Sequence, residues 1–296
     1  MSEFGEIITK AGWFYSGGPE NDVVLSSRVR LARNIAGYPF PERLSQKEEN
    51  EVSERILNAF RKLPDTTKFT ILYLDELKPV ERKVLLERCI ITKRYSEMGK
   101  RIIALSNDGE ISGMICEEDH LRVSCIKGGL ELSKAYNRVD EIDSKLEKHI
   151  TYAVNIEWGY LTTAFSNLGT GMRVSVLIHL PALELTSLLD ETLHLIIKKG
   201  FCVKSFGDQW NHSPGTIYQI SNRFSIGYKE EEIINYINEL LTPLISLERK
   251  TREALYMNKK REIADKVKRA LGVLRHSRMI PLKEAIESLS LIRLGI

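Results

Sequence analysis

The chain is poor in cysteine and has no long apolar run, and each shortage excludes something. Four cysteines, Cys89, Cys116, Cys125 and Cys202, are spread over 296 residues. None forms a CxxC pair or stands at zinc-ligand spacing from a histidine, so neither a zinc site nor a disulfide framework is expected, and the four read as reduced, mostly buried thiols. No apolar stretch approaches the roughly 18 residues that span a bilayer. The opening MSEFGEIITKAGWF lacks the basic and apolar regions of a secretory signal, so the expectation is a cytosolic protein with no membrane partner. A charge excess is missing too. With 43 Lys+Arg against 40 Asp+Glu the net charge is +3, too weak a field to hold nucleic acid, and any bound anion must be gripped locally. What is present is 43% hydrophobic and 28% charged residues, an ordinary globular composition. The length is near the limit of one core, which suggests one large domain and a small appendage.

Periodicity gives a coarse map. Ser45 with Glu48 makes a capping box, and Val52, Ile56, Leu57 and Phe60 follow at helical spacing. Lys68 to Leu74 and Arg101 to Leu105 read as strands around a helix at Val80 to Cys89, and Asn107-Asp108-Gly109 as a hairpin turn. A strand from Leu121 to Ile126 follows the acidic loop Glu117 to His120. A helix is expected over Glu131 to Ala153, a strand over Met172 to Leu180, a helix over Leu183 to Lys198, and strands over Phe201 to Phe206 and Ile217 to Ile226. The alternation in Met172 to Leu180 puts Arg173 and His179 opposite the main apolar face. From Glu230 the pattern is helical, with Pro281 opening the last helix. Hairpins and helices in no steady alternation predict an α+β fold, a mainly antiparallel sheet with helices on one side.

Arginines supply the chemistry. Arg28 and Arg30 lie in SSRVR, Arg122 in CEEDHLR, Arg173 in NLGTGMR, and Lys204 stands alone. Any one of them reads plainly as a solvated cation. Three arginine sites beside glycine-rich or acid-rich loops weaken that reading, because the guanidinium fork grips phosphate oxygens bidentately and keeps its proton. Glu117-Glu118-Asp119-His120 is either a charged turn or a loop in which one carboxylate grips a cationic nucleophile beside the phosphate-gripping Arg122, the positioning that phosphoryl transfer requires. NLGTG lacks the GK[ST] ending and precedes a strand, so a Walker site is excluded. It is either a tight turn or a place where small residues let backbone approach a nucleotide.

These segments, read in order as DVVLSSRVRLARNIAGYPFP, CEEDHLRV, GYLTTAFSNLGTGMRVSVLIHLP and IYQISNRFSIG, strongly resemble the signatures of the ATP:guanido phosphotransferases, or phosphagen kinases. Within that family the bacterial protein-arginine kinases are the nearest in pattern. DKVKRALGVL and the ending IRLGI resemble the C-terminal helical domain of that branch in shortened form, which divides the chain into a catalytic domain, 1–245, and a C-terminal helical region, 246–296. The resemblance implies a glutamine-synthetase-like sheet flanked by helices. It implies that Arg28, Arg30, Arg122 and Arg173 hold the phosphates of ATP, with Lys204 in place of a loop arginine. Glu118 would orient the guanidinium and take its proton, with Asp208 in KSFGD as second carboxylate. Mg2+ would arrive on the nucleotide, held largely by phosphates and water. The implied activity is phosphorylation of arginine residues in proteins, within bacterial protein quality control. The implied partners are an activator protein, a Clp-type protease system and a second copy of the chain. The family pattern is altered at Cys116, usually Asn, and at Ala164, usually a reactive Cys. Asp208 is a methylene shorter than the family's Glu, and DQWNHSPGT departs from the pattern after it. These changes leave an alternative open, a weakly active or inactive paralogue that binds nucleotide or phosphoarginine proteins and regulates a partner.

Overall fold

The computed structural model describes residues 12–14, 17–64, 67–206 and 213–295. Eight strands form one sheet: β1 (Val24–Arg33), β2 (Phe69–Tyr73), β3 (Ile102–Ser106), β4 (Ile111–Ile115), β5 (Leu121–Gly128), β8 (Met172–His179), β9 (Phe201–Ser205) and β10 (Ile217–Asn222). Their order is β2-β3-β4-β5-β1-β8-β10-β9, and every pairing within it is antiparallel. A two-stranded ribbon, β6 (Val154–Asn155) with β7 (Gly159–Tyr160), stands apart.

The helices are α1 (Gln46–Arg61), α2 (Pro79–Glu87), α3 (Lys93–Glu97), α4 (Leu132–Glu147), α5 (Pro181–Leu185), α6 (Leu189–Lys198), α7 (Glu230–His276) and α8 (Leu282–Leu294). The main core lies between α1, α4, α6 and the first half of α7 and one sheet face, where Val29, Leu31, Val123, Val174 and Val176 meet Val52, Ile56, Val139, Ile142 and Ile237. A smaller core under α2 and α3 joins Leu85, Ile91 and Tyr95 to Ile103 and Met114. These last two strand residues share the other face, so helices cover one face broadly and the other at its β2–β4 end.

Local chemistry explains the boundaries. The capping box forms as expected: Ser45 Oγ accepts from Glu48 N–H and the Glu48 carboxylate takes the Ser45 N–H at 2.8 Å, worth about 1 kcal/mol. The helix expected over Glu131 to Ala153 ends at Glu147. Beyond it the β-branched and aromatic run Ile150-Thr151-Tyr152 leaves the helix, because Tyr152 bridges to Ile35 and its hydroxyl donates to Asp143 at 3.0 Å. The helix expected over Leu183 to Lys198 is two, split where Thr186 Oγ1 donates back to Ala182 O and Ser187 takes φ 60. The strand expected to reach Ile226 stops at Asn222, whose side chain replaces the ladder by accepting from Val174 N–H and donating to Met172 O and Phe224 O.

The C-terminal helices are anchored to the sheet. Glu248, wholly buried in α7, accepts the Ala182 and Leu183 N–H groups at the start of α5 and pairs with Arg252. Arg249 pairs with Glu20 and Asp22, and His179 Nε2 meets Ser290 Oγ of α8 at 2.7 Å. The expected border at 245/246 falls inside α7, whose φ/ψ leave the helical range only at Lys259.

Candidate active site

β1 is the central strand, and its alternation builds the site. Val29, Leu31 and Arg33 face the main core, so Arg28 and Arg30 face the other side. Arg30 lies opposite Arg173 of β8, and Ala32 opposite Arg122 of β5, which makes Arg122 the diagonal neighbour of Arg30 on the same face. Four arginines from three adjacent strands thus share one patch of sheet.

Hydroxyls hold these side chains. Arg28 Nη2 donates to Ser124 Oγ at 3.2 Å, Ser124 meets Ser112 at 3.0 Å, and Arg173 Nη2 donates to Ser221 Oγ at 3.0 Å. The buried Nε atoms of Arg28, Arg30 and Arg122 have no partner. Burial, then the like charges of Arg28 and Arg173, push the Arg30 pKa down to about 9, with Glu118 and Asp119 offsetting this only in part. Burial followed by Arg30, Arg28 and Arg173 lowers Arg122 as well. Arginine remains protonated at neutral pH regardless. The cluster therefore carries a standing electrostatic cost that a polyanion would relieve, and its orphaned donors fit a triphosphate.

The acidic loop divides its labour. Glu117 is buried; it pairs with Arg122 and accepts from Thr92 Oγ1 at 3.1 Å. Asp119, also buried, ties three segments together by accepting from Asn34 Nδ2 and Thr163 N–H, each at 2.8 Å. His120 Nδ1 accepts the Ile35 N–H at 2.9 Å, so Nε2 carries the proton given to Pro39 O. Burial lowers this imidazole to about 4 against the weaker pull of the Pro39 bond, and it is neutral at pH 7. Only Glu118 keeps a partly open side chain, 31% exposed, with Oε2 at 3.4 Å from Arg122 Nη1. The loop is thus more than a solvated turn: three members are structural and one is available for chemistry.

The glycines of NLGTG serve packing. A Cβ on Gly171 would stand 2.4 Å from Arg33 Nη1, and one on Gly169 would stand 2.9 Å from the Ile226 Cα. The close approach they permit is to the protein's own chain, and the tight-turn reading holds for them. Lys204 lies on the face of the arginines but exposed, paired with Gln219 and level with Leu177 rather than Arg173. That places it two strands over and four positions along, about 10 Å by about 13 Å from Arg173, too far to join the cluster. Asp208 lies outside the described residues. Cys116 is buried, its Sγ 3.6 Å from Ser53 Oγ, and burial pushes the thiol up to about 11. Ala164 precedes the 3-10 turn Phe165–Asn167. Ser124 and Ser221, which hold Arg28 and Arg173, have their signal in the period-two alternation of β5 and β10, whereas Glu117 lies in the acidic loop before β5 and has none beyond its charge.

Solved structures that superpose on this chain include two kinases. The chain superposes on the duplicated taurocyamine kinase from Schistosoma mansoni, bound to transition-state analogue components, with TM-score 0.71 and 27% identity, covering 83% of this chain and 36% of that one. A lombricine kinase superposes with TM-score 0.67 at 24% identity, covering 82% and 70%, a likeness of fold alone. The fold is the glutamine-synthetase-like one. Residues 51–251 match the ATP:guanido phosphotransferase C-terminal catalytic domain, and residues 260–296 match the protein-arginine kinase McsB C-terminal domain. The chain belongs to the ATP:guanido phosphotransferase family. Among its relatives, the protein-arginine kinase of Halothermothrix orenii is 40% identical over 96% of this chain and 81% of its own length. That of Bacillus subtilis is 38% identical over 97% and 79%.

Proposed function

We propose that this chain transfers the γ-phosphoryl group of ATP to a guanidinium nitrogen of arginine residues in proteins. The observation that carries the reading is the patch itself: Arg28, Arg30, Arg122 and Arg173 on one face, three with orphaned Nε donors, next to the open carboxylate of Glu118. The arginines hold the triphosphate in line and spread the charge that develops on it. Glu118 balances the substrate's positive charge and accepts the proton that the attacking nitrogen sheds as its N–P bond forms and ADP departs. Asp208 retains the second-carboxylate role on family grounds. Mg2+ would come with the nucleotide, held largely by phosphate and water. No helix among the described residues is long and apolar enough to cross a membrane. A cytoplasmic place in protein quality control, with an activator protein, a Clp-type protease system and a second copy as partners, belongs to the same reading.

The test is incubation with Mg-ATP and an arginine-rich protein, followed by mass spectrometry for acid-labile phosphoarginine. Glu118→Gln should cut product formation by about 100-fold or more while leaving nucleotide affinity nearly intact. A wild-type protein that binds ATP, forms no phosphoarginine and is indifferent to Glu118→Gln would instead be a regulatory nucleotide-binding paralogue.

A further inference from the structure

Two large aromatic side chains beside the acidic loop are left in solvent. Phe165 is 63% exposed and Phe224 is 41% exposed, although their rings meet edge to face at 6.3 Å. Both rings stand on fixed supports. Phe165 opens the 3-10 turn two residues after Thr163, whose N–H is bound by Asp119, the neighbour of Glu118. Phe224 follows β10, where Asn222 Nδ2 holds its carbonyl at 3.1 Å. The wholly buried Ser225 next to it donates to Leu168 O at 2.9 Å, which joins the two loops at the start of the strand carrying Arg173. One guanidinium already lies over the Phe224 ring, Arg223 Cζ at 5.3 Å from its centroid.

We propose that Phe165, braced by Phe224, is a stacking platform for the arginine side chain of the protein substrate and helps set the preference for it. The inference rests on the kinase reading above. A planar cation with an apolar stem matches an exposed aromatic face on a segment tied through Asp119 to the loop of Glu118: in this arrangement the stem lies on the ring while the guanidinium extends toward Glu118. A nucleobase could also stack on such a ring, and the experiment separates the two.

Steady-state kinetics with Mg-ATP and an arginine-containing peptide, together with calorimetric binding of nucleotide and of peptide, should be run on wild type, Phe165→Ala, Phe165→Leu and Phe165→Trp. The platform predicts that Ala and Leu raise the peptide KM about five- to tenfold. It also predicts kcat and nucleotide affinity within about twofold of wild type, and a peptide KM restored by Trp. Unchanged peptide KM in an active Phe165→Ala, or full function in Phe165→Leu, overturns the stacking role. So does a loss of nucleotide affinity with peptide binding intact, which would assign the ring to the base. A wild type that yields no phosphoarginine removes the kinase reading itself, while peptide binding by the Ala and wild-type proteins still judges the platform.

Discussion

Arg30 and Arg33 are three residues apart on β1 and live in opposite electrostatic worlds. Arg33 is turned into the main core and brings its own counter-ion: Nε and Nη2 bind Asp143 Oδ2 at 2.9 and 2.7 Å, and Nη1 donates to Ala32 O and Thr170 O. The Tyr160 ring lies 3.6 Å from its Cζ. Burial works against its charge, but Asp143, Tyr160 and Tyr152 outweigh burial and its pKa is raised. The Arg30 pKa is lowered by burial first and then by the like charges of Arg28 and Arg173, which Glu118 and Asp119 offset only in part. Arg33 is satisfied within the fold, whereas Arg30, in the role we propose for it, is satisfied by the phosphates it binds. Burial alone does not tell them apart; partner count and the sign of the neighbours do.

The sharpest way to break that contrast is to truncate the satisfied member. Arg33→Ala leaves Asp143 buried without its cation and should cost about 3–5 kcal/mol, read as a lowered denaturant midpoint. Nucleotide affinity of the folded fraction should stay as it was. Replacing both partners with apolar residues, Arg33→Met with Asp143→Leu, should recover much of the loss. A single variant as stable as wild type would mean that the ion pair is not what holds β1 to α4.

The same contrast runs through the acidic loop, where His120 is structural and Glu118 is not. A folded-state imidazole near 4 against an unfolded value near 6.5 means that the unfolded chain binds the extra proton first as pH falls. Stability should then decline from about pH 6.5 and level off below about pH 4, by on the order of 3 kcal/mol. Urea titrations across that range should show the slope in wild type and a shallower one in His120→Asn, where His179 and the carboxylates still titrate. Equal slopes would deny His120 its neutral, bonded state.

Much of this was legible in the sequence. The arginines sat in ordered motifs, and the capping box, the hairpins and the strand of Arg173 follow from spacing. The central strand is hidden in the sequence, because in Arg28-Val29-Arg30-Leu31-Ala32-Arg33 the half facing the site is charged and resembles a surface segment. Nor does spacing say that Arg33 belongs to the core: its partner Asp143 is 110 residues away in α4. Tertiary demands also moved three boundaries, at Glu147, Ser187 and Asn222, each where a side chain took over a backbone hydrogen bond or a buried ring pulled the chain out of its period. The split of Glu117 from Glu118 likewise depends on Thr92 and Arg122, which only the fold brings together.

Truncating the unsatisfied member sharpens the contrast from the other side. Arg30→Ala should weaken nucleotide binding by about 10- to 100-fold, the scale of losing charge-assisted hydrogen bonds. It should leave stability in the absence of nucleotide unchanged or raised by up to about 1 kcal/mol, because the repulsion it shares with Arg28 and Arg173 is gone. Thermal melts with and without Mg-ATP measure both effects, and the nucleotide-induced shift should shrink. A variant that melts well below wild type without nucleotide would place Arg30 with Arg33 as a structural residue.

The smallest effect is expected from thiol reagents. By the resemblance, Ala164 stands where the family usually carries a reactive cysteine, and the buried thiols are poor replacements: burial raises Cys89, pushes Cys116 up to about 11 and pushes Cys125 up to about 12. A thiol at such values is almost wholly protonated at neutral pH and a poor nucleophile. Iodoacetamide should therefore change phosphoarginine formation by less than about twofold over the time that inactivates a kinase carrying the usual cysteine. Cys202 is the sensitive control, since it is half-buried on the arginine face, opposite the Ser221 that holds Arg173. Rapid inactivation that ATP prevents and Cys202→Ser abolishes would extend the working site across β10 to β9. The same inactivation surviving in Cys202→Ser would mean that Cys116 or another thiol is open to solvent, and that the loop of Glu118 is looser than its hydrogen bonds to Asn34, Thr163 and Pro39 allow.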